Sequence, residues 1–118
     1  MLGVDIVQVN RIEAAVERHG QAFLDRMFTP AEQAYCEQSK MRFERYAGRF
    51  AAKEAVAKVI SEGPRDFWLE IEIVNRPSGA PQVVLSDRLR AIFPHDISIS
   101  ISHEREYAVA VAARVTSL

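Results

Sequence analysis

Asp5, Glu54, Lys58 and His103 are the residues of this 118-residue chain whose types and settings could do chemistry. Asp5 interrupts the β-branched run from Leu2 to Val9, and Glu54 and Lys58 close the segment Gly48-Arg49-Phe50-Ala51-Ala52-Lys53-Glu54-Ala55-Val56-Ala57-Lys58. At about 100° per residue, Glu54 and Lys58 project beside Ala47, Phe50 and Ala51, while Ala52, Ala55, Val56 and Val59 cover most of the opposite side. A helix apolar over so much of its circumference is substantially buried, and a carboxylate there needs a cation, a metal or several hydrogen-bond donors. Read alone, the segment fits an ordinary Glu54–Lys58 pair at i,i+4 as well as it fits a site. Asp5 adds a second carboxylate. Two carboxylates brought together repel, and Mg²⁺ resolves the repulsion while keeping positions for water and phosphate oxygens. Lys58 would bring a point charge to a phosphate held there, with Arg49 and its basic neighbours available for further phosphates. Such a set suits phosphoryl-type transfer from a polyphosphorylated donor.

Charge is distributed in keeping with a small anionic ligand. The formal net charge is -1, which argues against a general polyanion binder such as a nucleic-acid protein. Between Lys40 and Lys58, however, six bases (Lys40, Arg42, Arg45, Arg49, Lys53, Lys58) face only Glu44 and Glu54, a local charge of +4. Hydrophobic residues make up 48% and charged residues 26%, the proportions of a globular protein, and the length predicts one domain over 1–118. So short a chain has little room to enclose a large ligand alone. Cys36 is the only cysteine, so an intrachain disulfide and a cysteine-based zinc site are excluded. No apolar run approaches a membrane span, and Met1-Leu2-Gly3-Val4-Asp5 lacks the pattern of a signal peptide, so a cytoplasmic protein without membrane partners is expected.

The elements that must position these residues follow from periodicity. Leu2 to Val9 is predicted as a strand with Leu2, Val4 and Ile6 on one face and Gly3, Asp5 and Val7 on the other. Asn10 and Glu13 resemble a capping box, and Gly20 a stop, for a helix from Arg11 to His19. Phe23 to Phe28 suggests a short helix. Thr29-Pro30-Ala31-Glu32 then caps a helix over Pro30 to Gln38, and the long helix is predicted over Arg42 to Ile60, closed by Glu62-Gly63-Pro64. A hairpin pairs Leu69 to Ile73 with Gln82 to Leu85, and a short helix follows Ser86. Ile97, Ile99 and Ile101 alternate with serines before a turn at His103 to Glu106 and a last strand from Tyr107 to Val115. Ser98, Ser100 and Ser102 are expected beside Ala108, Ala110 and Ala112 as a small-residue face. Strand, helices, then strands predicts an α+β fold.

Three segments carry a resemblance. Gly3-Val4-Asp5-Ile6, Ala47-Gly48-Arg49-Phe50-Ala51-Ala52-Lys53-Glu54-Ala55 and Ser100-Ile101-Ser102-His103 together resemble the holo-[acyl-carrier-protein] synthases. The resemblance covers nearly the whole chain. It implies the 4'-phosphopantetheinyl transferase fold, with a small antiparallel sheet packed against a long central helix. It also implies transfer of the phosphopantetheine arm of coenzyme A to a serine of apo acyl carrier protein, with release of adenosine 3',5'-bisphosphate, in fatty acid or polyketide synthesis. By the match, Asp5 and Glu54 are the Mg²⁺ ligands, Lys58 contacts the pyrophosphate, and Arg49 binds a phosphate. Lys40 and Arg45 help around the 3'-phosphate, and His103 binds the nucleotide portion. Glu54, directly or through a metal-bound water, is the first candidate for the base. The loop Ser78-Gly79-Ala80-Pro81 has Ala80 where the family usually carries lysine, so contacts to adenosine from Gly79 and Pro81 would use backbone atoms.

An acidic carrier calls for a basic docking face. Arg11, Ala15 and Arg18 share a helical face and, with Phe23 and Arg26, match positions the family uses against its carrier. The resemblance further implies a homotrimer with active sites between protomers. Two other readings stay open on the residues alone: a noncatalytic module binding carrier protein or nucleotide, and a Mg²⁺-dependent phosphatase or nucleotidyl transferase.

Overall fold

The computed structural model describes residues 1–60 and 66–116. Its elements are β1 (Leu2–Gln8), α1 (Val9–His19), α2 (Gln21–Met27), α3 (Pro30–Glu37), α4 (Arg42–Ile60), β2 (Ile71–Asn75), β3 (Pro81–Leu85), α5 (Asp87–Ile92), β4 (Ile97–His103) and β5 (Tyr107–Arg114). The α+β expectation holds. β1, β5 and β4 form an antiparallel sheet with β5 in the middle, and β2 and β3 form a separate hairpin.

The long helix organises the rest. α4 packs across the inner face of the three-stranded sheet and also meets α1, α3 and β2. Two glycines permit the close fit. A Cβ on Gly3 would lie 2.0 Å from the carbonyl oxygen of Ala55, and one on Gly48 would lie 3.1 Å from Cγ2 of Ile101. The helix therefore runs over β4 near its start and over β1 near its end. Ala51, Ala52, Ala55, Val56 and Val59 are buried, as their spacing predicts, and Phe28 and Tyr46 pack at 4.9 Å between ring centres within the same core.

Local chemistry sets most boundaries as read. Thr29 Oγ1 accepts from the Glu32 amide while a Glu32 oxygen accepts from the Thr29 amide, closing the predicted capping box with Pro30 at the first helical turn. Gly20 ends α1 at φ 63°. Other expectations are corrected. α1 starts at Val9, without a side-chain cap from Asn10, because β1 runs straight into it and the Val9 amide donates to the carbonyl of Glu106. Leu69 lies in a turn rather than in β2, held by amides of Glu70 and Ile71 bonding back to the Phe67 carbonyl. His103 ends β4 instead of entering the turn. The proposed stop at Glu62-Gly63-Pro64 lies outside the described residues.

Register overturns the expected small-residue face. Ser98, Ser100 and Ser102 lie opposite Ala113, Val111 and Val109, whereas Ala108, Ala110 and Ala112 lie opposite His103, Ile101 and Ile99. Those three alanines are buried under α4, where small side chains admit the helix backbone. The serines share the outer face with Leu2, Val4, Ile6 and Val111, which the single chain leaves uncovered; Leu2 is 75% and Ile6 64% exposed. The alternation Leu2, Val4, Ile6 thus describes an apolar outer face, and Gly3, Asp5 and Val7 point toward α4.

Candidate active site

Asp5 and Glu54 are brought together by the crossing of α4 over β1. Glu54 is partly buried, and burial, with Asp5 adding repulsion, raises its pKa above the usual carboxylate range, while Lys58 partly opposes this. The amino group of Lys58 donates to the Val4 carbonyl at 2.7 Å and lies 3.5 Å from Asp5 Oδ1. The expected pair of Lys58 with Glu54 is therefore not the contact formed. The close approach at Gly3 puts strand atoms nearer to Lys58 than its own helical neighbour. Among the described residues no third His, Cys, Asp or Glu joins the two carboxylates. Two carboxylates do not make an all-protein cage, but they suit Mg²⁺, which retains water and shares phosphate oxygens.

A second group gathers on the other flank of α4. Tyr35, Arg45, Gly48, Arg49, Asn75, Gly79, Pro81, Ile101 and His103 enclose a pocket of about 130 Å³. Arg45 and Arg49 lie one helical turn apart, with their guanidinium carbons 4.1 and 4.2 Å from the centre of the Tyr35 ring. Arg45 donates to the Tyr35 carbonyl at 2.7 Å, and Arg49 donates to Asn75 Oδ1 at 2.8 Å. Arg49 is buried, and its Nε is a buried donor without a partner among the described residues. Neither arginine has a carboxylate partner there. The neighbouring Cys36 thiol is pushed up to about 12 by burial and stays neutral. A buried cation without an anion is costly, and an anionic ligand in this pocket would offset that cost. His103 closes the rim, its Nδ1 3.1 Å from Glu44 Oε1.

Five residues singled out for nucleotide binding, Arg45, Arg49, Gly79, Pro81 and His103, thus meet around one pocket. Lys40 does not line it and lies exposed in the turn between α3 and α4. The amide of Gly79, at φ 92°, donates to the Arg76 carbonyl, so the backbone atom of Gly79 left for a ligand is its carbonyl oxygen. The basic strip read along α4 is also redistributed by the helix. Arg42 pairs with Glu37 at 2.9 Å, Lys53 is fully buried against Glu32 at 2.5 Å, and Lys58 turns to β1. Tyr35 and Asn75 were not singled out in the sequence, because each enters through tertiary contact with Arg49. Gly48 carries a readable signal, since glycine inside a helix costs stability and calls for a packing reason.

On the remaining surface, Arg11 and Arg18 are exposed on α1 with Ala15 half-buried between them, and Phe23 and Arg26 lie on α2. Phe23 packs edge-on against Phe28 at 6.4 Å. None of the three arginines forms a salt bridge among the described residues.

Fold and site define a small α+β protein with a carboxylate pair on one flank of a central helix and an uncompensated guanidinium pocket on the other. The chain belongs to the 4'-phosphopantetheinyl transferase superfamily, whose family model matches residues 1–112. It is 47% identical over 113 residues to a holo-[acyl-carrier-protein] synthase of Dehalococcoides mccartyi, covering 92% of both chains. A holo-[acyl-carrier-protein] synthase of Protochlamydia amoebophila is 45% identical over 114 residues, with 94% of this chain and 93% of that one covered. Among solved structures, that of Helicobacter pylori holo-[acyl-carrier-protein] synthase in complex with coenzyme A superposes with a TM-score of 0.87 at 36% identity, covering 98% of this chain and 100% of that one. The Neisseria meningitidis holo-[acyl-carrier-protein] synthase gives 0.88 at 30% identity, covering 98% and 97%. No helix among the described residues is long and apolar enough to cross a membrane.

Proposed function

We propose that this chain is a holo-[acyl-carrier-protein] synthase that transfers the 4'-phosphopantetheine arm of coenzyme A to a serine of an apo acyl carrier protein. The serine oxygen forms a bond to the phosphorus bearing the pantetheine arm, the pyrophosphate P–O bond breaks, and adenosine 3',5'-bisphosphate leaves. The observation that carries the reading is the anion-hungry pocket of Arg45 and Arg49 in the same protein as the Asp5–Glu54–Lys58 group. Arg45 and Arg49 hold the nucleotide's phosphate, His103, Pro81 and the Gly79 carbonyl bound the adenosine, and Lys58 holds the pyrophosphate. Asp5 and Glu54 hold Mg²⁺, which neutralises the pyrophosphate when bound. Glu54 is the first candidate to accept the serine proton. The setting is the cytoplasm, where the free thiol of Cys36 stays reduced.

The two groups lie on opposite flanks of α4. Arg49 and Glu54 are about 140° apart around the helix, whose buried body stands between them. A coenzyme A touching both within one chain would have to wrap around α4, whereas the pocket of one copy can face the carboxylates of the next. The uncovered apolar face of β1 and β5 supports the same conclusion, a homotrimer with active sites between protomers. Incubation with coenzyme A, Mg²⁺ and apo carrier protein, read by mass spectrometry, is expected to add the phosphopantetheine mass to the carrier serine. Mixing inactive Glu54→Gln with inactive Arg49→Met is expected to restore about a quarter of the sites. No mass gain on any carrier despite coenzyme A binding would identify a noncatalytic binding module, and no recovery on mixing would place each site within one chain.

Arg11, Ala15, Arg18, Phe23 and Arg26 form the carrier face, with unpaired positive charge around an aromatic anchor. Arg11→Glu and Arg26→Glu are each expected to raise the KM for carrier protein about tenfold at low salt while leaving that for coenzyme A within about twofold. Equal loss toward both substrates, in steady-state titrations, would remove these residues from the docking face.

A further inference from the structure

Arg49 is surrounded by groups that leave its charge intact. Glu32, the nearby acid, is fully buried and committed to Lys53 and to the amides of Thr29 and Ile73. Cys36 is buried and Tyr35 presents its ring. Among the described residues, the one side-chain acceptor bonded to the Arg49 guanidinium is the neutral amide oxygen of Asn75, at 2.8 Å from Nη2. Asn75 is the last residue of β2, and that strand is itself pinned by the Ile73 amide donating to Glu32 at 2.8 Å. Its position is fixed from the buried core outward. A carboxylate here would hold the guanidinium equally well but cancel its charge. An amide orients Arg49 by one N–H and adds no negative charge, so the guanidinium that lines the pocket keeps its full positive charge.

We propose that Asn75 is a positioning residue for recognition of the nucleotide's 3'-phosphate, aiming Arg49 into the pocket while leaving its charge unneutralised. The inference rests on the nucleotide-binding reading of that pocket. Calorimetric titration of the full chain with adenosine 3',5'-bisphosphate and with adenosine 5'-monophosphate tests it. Wild type is expected to favour the bisphosphate. Asn75→Ala and Asn75→Asp are each expected to weaken bisphosphate binding about tenfold and to change monophosphate binding less than about twofold. In turnover the KM for coenzyme A rises in the same proportion with kcat unchanged. Asn75→Asp is also expected to melt no lower than wild type, so affinity falls without a loss of stability, which loss of a merely structural contact would not produce. In an Arg49→Met background, Asn75→Ala is expected to have no further effect, because it acts through Arg49. If Arg49→Met does not fold, the two Asn75 variants decide alone. A wild type that binds both nucleotides equally would overturn the pocket reading itself. Discrimination retained in Asn75→Asp, against a discriminating wild type, would overturn the role of Asn75 and leave the pocket standing.

Discussion

Glu54→Gln is expected to lose phosphopantetheine transfer by about 10²–10³-fold while the metal-free protein melts at or above the wild-type temperature. Both effects come from the same surroundings. Glu54 has its pKa raised by burial and by Asp5, so the folded state takes up its proton more readily than the unfolded state. The ionised carboxylate therefore subtracts from stability above its folded pKa, and the penalty disappears as pH falls below the unfolded value. Glutamine never ionises and removes the penalty at neutral pH, but it also removes half of the charge that would hold Mg²⁺. Mg²⁺ should accordingly raise the melting temperature of wild type and not of Glu54→Gln. Thermal melts with and without Mg²⁺, set beside turnover, check this. Equal stabilisation of both proteins by the metal, or wild-type turnover in the variant, would remove Glu54 from the metal site.

The second large effect concerns a residue with no part in binding. Lys53 and Glu32 are fully buried, and Lys53 also donates to the carbonyls of Met27 at 2.8 Å and Trp68 at 2.5 Å. Glu32 accepts from the amides of Thr29 and Ile73. One ion pair thus joins the end of α2, α3, α4, the middle of β2 and the turn before it. Lys53→Met should cost about 3–5 kcal/mol because it strands a buried carboxylate. That is a large share of the roughly 5–15 kcal/mol a domain of this size possesses. Lys53→Met combined with Glu32→Leu should cost clearly less than the two single changes added, since neither charge is then stranded. Urea denaturation of the three variants measures this coupling, and strict additivity would show that the pair acts as two independent residues.

Lys53 also marks where reading a sequence stops. Between Ala52 and Glu54 it looks like one more base on a solvated strip, and only the placement of Glu32 from another helix makes it a core residue. The extent of α4 was legible because its apolar positions are dense and Arg42 to Ile60 holds a continuous pattern. The capping box at Thr29 was legible because its chemistry is local, whereas Asn10 and Glu13 imitate one at a place where β1 leads directly into α1. Alternation located β4 and β5, but it could not give the register between them, which puts the serines and the alanines on opposite faces of the sheet. The convergence of Arg45, Arg49, Gly79, Pro81 and His103 came from the family resemblance; periodicity places these residues on three different elements and carries no distance between them.

The partition of charge by α4 has a consequence for output per molecule. Each chain carries one acidic half and one basic half of a site, and under the proposed assembly neither works without a neighbour. Two copies joined head to tail complete one site and leave two halves idle. A closed ring leaves none. Specific activity then depends on whether the ring has closed, so dilution lowers turnover per chain before any chain unfolds, and the concentration of the protein becomes a control on its own rate.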